Sequence, residues 1–159
     1  MTMKWWSVVL VLTAITILGQ AMADEGHGKK NFSFGAPGNE TDVSRTIEVT
    51  ATDDMKFSPP TVTIQQGETI RFVVHNAGNG VHEFSVGDAP SQRAHAALMK
   101  RNPNMKHEGD PTAVTVEPGA TKTLVWRFDK KMTQPLVFAC QIPRHYDAGM
   151  VIRATLAAR

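Results

Sequence analysis

The chain has 159 residues, of which 42% are hydrophobic and 20% charged, which is enough for one domain with a real core. Its formal net charge of +2 leaves no strong field of either sign and excludes the basic footprint of a nucleic-acid binder.

The first 23 residues read as a cleaved secretory signal. Lys4 supplies a short positive region, Ser7 to Gly19 an apolar run, and Ala21-Met22-Ala23 a small-x-small cleavage site before the polar Asp24. The run is short for a bilayer span, which needs roughly 20 apolar residues. No cysteine lies near the cleavage site and no Arg-Arg pair precedes the run. An exported, periplasmic protein beginning at Asp24 is therefore expected. No later segment is apolar enough to span a membrane. Residues 24–44 are rich in Gly, Asn and charge without periodicity, and are expected to form a flexible tail. The domain proper is expected over residues 45–159.

From Thr46 the pattern has period two. Ile47, Val49 and Ala51 alternate with polar neighbours, and Val62 and Ile64 do so after Pro59-Pro60. Ile70, Phe72 and Val74 share one face, with Arg71, Val73 and His75 on the other. After the loop Asn76 to Gly80, His82, Phe84 and Val86 share a face. Ser91 to Arg101 breaks the rhythm with helix formers after a serine and before Asn102-Pro103, which predicts a short inserted helix. Strand patterns resume at Ala113 to Val116, at Leu124, Trp126 and Phe128, at Leu136, Phe138 and Cys140, and at Val151 to Leu156. Short strands at this spacing, parted by Gly and Pro turns, predict an all-β sandwich or barrel.

Cys140 is the only cysteine. In an oxidising compartment cysteines usually pair, so a lone one is an inert buried thiol, an intermolecular bridge, a nucleophile or a metal ligand. It opens the segment Cys140-Gln-Ile-Pro-Arg-His145-Tyr-Asp-Ala-Gly-Met150. This places a thiolate, an imidazole and a thioether on one loop, four residues between neighbours. Cys140 shares the apolar face of its strand with Leu136 and Phe138, so its sulfur is expected to point inward. Pro143 and Gly149 shape a loop that brings His145 and Met150 back over it. Soft ligands of this kind favour copper over calcium or magnesium, and a His₂Cys plane with a weak axial Met is the blue-copper set. Strand parity points His82 inward as the second imidazole and His75 outward.

Asn76-Ala-Gly-Asn-Gly-Val-His82-Glu-Phe84, followed by Cys140-x4-His145-x4-Met150, resembles the cupredoxins, the family of plastocyanin, azurin and auracyanin. More narrowly it resembles periplasmic cupredoxins associated with copper tolerance. The resemblance covers roughly Thr46 to Leu156. It implies a Greek-key β-sandwich holding one type 1 copper ion. The metal ligands would be His82, Cys140, His145 and the axial Met150, with His145 near the surface as the electron port. Two positions depart from the pattern. Glu83 stands where many relatives have a small polar residue that ties down the Cys loop. Arg144 stands where Gly is frequent, and places a cation beside the exposed ligand, which should favour an acidic partner or a raised potential.

Other soft residues cluster elsewhere in the chain. His95 and Met99 are four apart and share a helix face, and Met105 and His107 follow closely. Such a cluster could hold a labile Cu(I); the plainer expectation is that Met99 packs under the helix and the histidines are solvated. His27 lies fourth from the expected mature N-terminus, where cleavage one residue later would let it chelate Cu(II). Met55 and Met132 read as core or loop residues.

The reading is therefore a copper-handling protein of the periplasm, monomeric and without enzymatic activity. A dedicated electron shuttle between redox proteins is the alternative. An oxidase or reductase is disfavoured, because multicopper enzymes need paired His-x-His motifs and no His-x-His occurs in the chain.

Overall fold

The computed structural model describes residues 32–157. The expected signal segment and the start of the tail, with His27, lie outside the described residues. In chain order the strands are β1 (Ala36–Pro37), β2 (Arg45–Thr52), β3 (Lys56–Ser58), β4 (Thr61–Gln65), β5 (Thr69–Asn76) and β6 (His82–Asp88). Helix α1 (Ala89–Arg101) interrupts them, and β7 (Ala113–Val116), β8 (Thr121–Arg127), β9 (Leu136–Ala139) and β10 (Val151–Ala157) follow.

These strands form two five-stranded sheets, ordered β1-β8-β5-β2-β3 and β4-β10-β9-β6-β7. The pairs β2/β5 and β4/β10 are parallel and the others antiparallel. The all-β sandwich with a short helix that the sequence predicts is the observed architecture. Alternation works as a physical rule here because one face of each sheet meets the other. Val49 and Ala51, Val62 and Ile64, and Ile70, Phe72 and Val74 all point into the shared core. Phe72 and Phe138 meet across the sandwich with ring centroids 4.7 Å apart, and Phe84 stacks on Phe138 at 5.4 Å. Each buried large apolar side chain contributes about 1.5–3 kcal/mol, so this aromatic layer is the main anchor under the chemistry-bearing end.

Strand β6 departs from simple alternation: all seven residues are buried. Helix α1 covers its outer face. The helix starts at Ala89, two residues before the predicted Ser91, because Asp88 rather than Ser91 caps it. The Ser91 amide donates to Asp88 Oδ1 at 2.9 Å, and Pro90 sits in the first turn, where its missing N–H costs nothing. Gln92 fastens the helix to the sheet. Its amide donates to the Val137 carbonyl at 3.1 Å, and its oxygen accepts from Gln141 Nε2 at 2.8 Å.

The described part of the expected flexible tail, residues 32–44, is instead packed on the first sheet. Phe34 is 2% exposed and stacks on Trp126 with centroids 5.3 Å apart. Trp126 Nε1 donates to the Phe34 carbonyl at 3.0 Å, and Ala36 and Pro37 pair with Arg127 and Trp126 of β8. Polar, glycine-rich composition suggested disorder, but two aromatic anchors, Phe32 and Phe34, outweigh it by covering the indole of Trp126. Gly35 permits the close approach: it adopts φ 128°, and a Cβ there would meet the Arg127 carbonyl oxygen at 2.1 Å. Among the described residues, no helix is long and apolar enough to cross a membrane.

Candidate metal centre

One end of the sandwich gathers the sulfur and nitrogen donors. β6 begins at His82, and Cys140 follows immediately on the end of β9, which pairs with β6. The loop from Ile142 to Met150 is wound by backbone hydrogen bonds: His145 N to Ile142 O at 3.0 Å, Ala148 N to Arg144 O at 3.0 Å, and Gly149 N to Tyr146 O at 2.9 Å. Its two ends are tied together, since Cys140 N donates to Met150 O at 3.2 Å and Met150 N to His145 O at 3.1 Å. Arg144 takes φ 77° and Gly149 φ 99° to make these turns. The first is a left-handed conformation that a side chain pays for, which is the physical reason a glycine would suit that position.

The result is convergence. A ligand atom each from His82, Cys140 and His145 lies within 4.8 Å of the others. Cys140 Sγ is 3.3 Å from His145 Nδ1, and the His82 and His145 rings stand 5.3 Å apart. Cys140, His82 and Met150 are buried; His145 is partly exposed. His75 is exposed on β5 and contacts Thr121 Oγ1, on the opposite side of its strand from the core. Both ring nitrogens of His82 are buried without a hydrogen-bond partner. An orphaned buried imidazole is costly, and a metal ion is a partner that would satisfy it. The donor set of two imidazoles and a thiolate, with the buried Met150 joined to Cys140 by a backbone hydrogen bond, fits copper on softness.

Electrostatics support the same use. Burial, followed by the charge of Glu83, pushes the Cys140 thiol up to about 12. Burial lowers the pKa of His82, with Asp53 partly opposing it. Burial, then His82 and Arg144, lowers that of His145. The two imidazoles are thus neutral and lone-pair-bearing at neutral pH, while the thiol keeps its proton until something displaces it.

Several supporting residues escaped the sequence reading. Asp53 receives the amides of Asn79 and Gly80 at 2.7 and 3.0 Å and lies 3.5 Å from His82 Nε2. It holds the loop that delivers His82, and no local pattern marks it. Asn76 is buried and bridges the Gly80 and Val116 carbonyls at 2.7 and 2.9 Å, while its oxygen accepts from Gly78 N. An Asn two residues before Gly is an Asx-turn signal that could have found it.

Glu83 is the largest surprise. The expectation that His95 and His107 are solvated is overturned. Glu83 is 1% exposed, and its two carboxylate oxygens meet His95 Nε2 and His107 Nε2, each at 2.8 Å. His107 is buried as well, whereas Met99 packs under the helix as expected. Burial works to raise the Glu83 pKa, but the bonds from His107 and His95 outweigh it and keep the carboxylate ionised. Burial likewise opposes charging His107, yet Asp110 and Glu83 raise its pKa to about 9. Glu83 also reaches the Cys loop: its backbone amide lies 3.4 Å from Cys140 Sγ, and its Oε1 accepts from the Gln141 amide at 3.4 Å.

Comparison with known proteins agrees with this architecture. The family model described as a cupredoxin-like domain matches residues 10–120, a span that ends before the Cys140 loop. The copper-resistant cuproprotein CopI of Rubrivivax gelatinosus is 38% identical, over 91% of this chain and 92% of its own length. Its namesake from Pseudomonas aeruginosa is 36% identical over 92% of this chain and 93% of its own. That of Vibrio cholerae is 41% identical over 78% of this chain and 71% of its own. Among solved structures, reduced auracyanin of Roseiflexus castenholzii superposes with a TM-score of 0.58 at 21% identity, over 72% of this chain and 98% of that one. Auracyanin B gives 0.56 at 18% identity, over 77% of this chain and 96% of that one. Sheet order, donor-bearing loop and relatives converge, and the chain belongs to the cupredoxin-like family.

Proposed function

We propose that this protein binds one copper ion in a mononuclear type 1 site formed by His82, Cys140, His145 and Met150, and that it serves copper tolerance in the periplasm. The observation that carries the reading is the convergence of three donors around a buried imidazole with no partner of its own. The names of its relatives, which are copper-resistant cuproproteins, support the choice of metal and of role. Bound copper supplies one-electron redox chemistry. The chain's contribution is to hold the donors. β6 and β9 fix His82 and Cys140 on paired strands, and the wound loop fixes His145 and Met150. The aromatic layer of Phe72, Phe84 and Phe138 keeps water out beneath them. His145 is the exposed edge through which an electron would pass. The Glu83 amide beside Cys140 Sγ would stabilise the thiolate by donating to it. The protein acts as a carrier rather than an enzyme.

The test is a visible and EPR titration with one equivalent of Cu(II), with Cys140→Ala alongside. An intense thiolate-to-copper band, lost in the variant, is expected; the absence of that band from the parent protein, or its survival in the variant, overturns the site. Deleting the gene separates the roles. Copper sensitivity alone is the expected phenotype, whereas a respiratory or photosynthetic defect in ordinary copper would point to a dedicated electron shuttle.

A further inference from the structure

A second convergence of donors lies on the outer face of β6, beneath α1. Glu83 comes from the strand, His95 from the helix and His107 from the loop that follows it. One ligand atom from each lies within 4.8 Å of the others, and the two imidazole rings stand 5.0 Å apart at 47°. Three consecutive segments, a strand, the helix after it and the loop after that, bring two imidazoles and one carboxylate to a point.

The surroundings hold His107 in place. His107 presents Nε2 to the centre, while its other nitrogen, Nδ1, is buried without a hydrogen bond, 3.7 Å from the Asp110 carboxylate. The His107 backbone is held by Thr115 Oγ1 at 3.2 Å, and Asp110 by the amide and hydroxyl of Thr112 at 2.8 and 2.7 Å. A cavity of about 340 Å³, lined also by Met99 and Met105, borders Glu83. Imidazole and carboxylate together suit borderline divalent ions.

We propose that Glu83, His95 and His107 form a second metal site, distinct from the Cys140 centre, that takes a divalent copper ion through two nitrogens and one carboxylate oxygen. None of the three belongs to the first donor set, so each site can be emptied without removing a ligand of the other. The two are nonetheless close along the chain: Glu83 follows His82, and Glu83 Oε1 accepts from the residue after Cys140. In the absence of an ion the carboxylate takes a hydrogen bond from each imidazole, which keeps the buried charge satisfied.

The experiment is a Cu(II) titration of the exported protein, followed by calorimetry and EPR, in a His27→Ala background that removes the tail imidazole. Two equivalents are expected to bind. The second should add an EPR signal of wide parallel hyperfine splitting without a thiolate band. Cys140→Ala should keep that signal alone. His95→Gln and His107→Gln should keep the thiolate band and weaken the second ion at least about tenfold. Should either histidine variant fail to fold, Zn(II) added to Cys140→Ala is expected to shift the imidazole NMR resonances of His95 and His107. Binding of a single equivalent that carries the thiolate band, a second ion unaffected by both histidine substitutions, or unshifted His95 and His107 resonances would overturn the site and leave Glu83 as a structural clamp. Failure of the first centre would instead appear as a missing thiolate band, with the second signal untouched.

Discussion

Loading the Cys140 centre with Cu(II) should release one proton per ion from the protein between about pH 7 and 9. The perturbation is the metal itself. With no ion bound, burial and then the Glu83 charge push the thiol up to about 12, so at pH 7 its proton is held about five units above the solution pH. Displacing it costs roughly 7 kcal/mol relative to a preformed thiolate, at about 1.36 kcal/mol per unit. Only the thiolate ligates, so the apparent affinity should rise about tenfold for each pH unit over that range. His82 and His145 contribute nothing to the count, because burial lowers both pKa values and leaves the rings neutral. The assay is calorimetry of the first equivalent in buffers of different ionisation enthalpy, using His95→Gln to isolate the centre. Cys140→Ala should abolish the release. A count of zero would mean a preformed thiolate, and a count of two would mean a charged imidazole; either refutes the electrostatic account.

Three further outcomes follow from the packing. Phe34→Ala should destabilise the protein by about 3–5 kcal/mol by chemical denaturation, since the ring is buried against Trp126; a change below about 1 kcal/mol would mean that residues 32–37 are not docked. Arg144→Gly should stabilise the metal-free protein by about 0.5–1 kcal/mol, because relief of the left-handed strain at φ 77° exceeds the entropy glycine adds to the unfolded chain. In the metal-free protein the Glu83–His107 pair should contribute its full stabilisation between about pH 4.5 and 6.5. The raised His107 pKa contributes stability that is full below the ordinary histidine value and lost as pH climbs towards about 9. The lowered Glu83 pKa contributes stability that is present above the ordinary carboxylate value and lost as pH falls. His107→Gln should flatten the alkaline limb of a urea-midpoint profile; an unchanged limb would sink the assignment.

What the amino-acid sequence determined by itself is what short-range periodicity can encode. Alternation at Ile70, Phe72 and Val74 declares a buried strand face, because a period of two places those side chains on one side of any sheet. The same parity puts His82 inside and His75 outside, and the spacing of Cys140, His145 and Met150 keeps three donors within reach of one loop. What only the tertiary structure decided depends on residues far away in the chain. Phe34 could not be seen as packed until β8 delivered Trp126 to it. Glu83 carries the outward parity of a solvent-facing residue, and it is buried only because α1 and the loop after it fold over that face. Helix periodicity placed His95 and Met99 together but could not say that a carboxylate waited underneath. Local pattern fixes which way a side chain points; whether water or another element lies there is a long-range question, and at Glu83 the answer turned two apparently solvated histidines into a buried cluster.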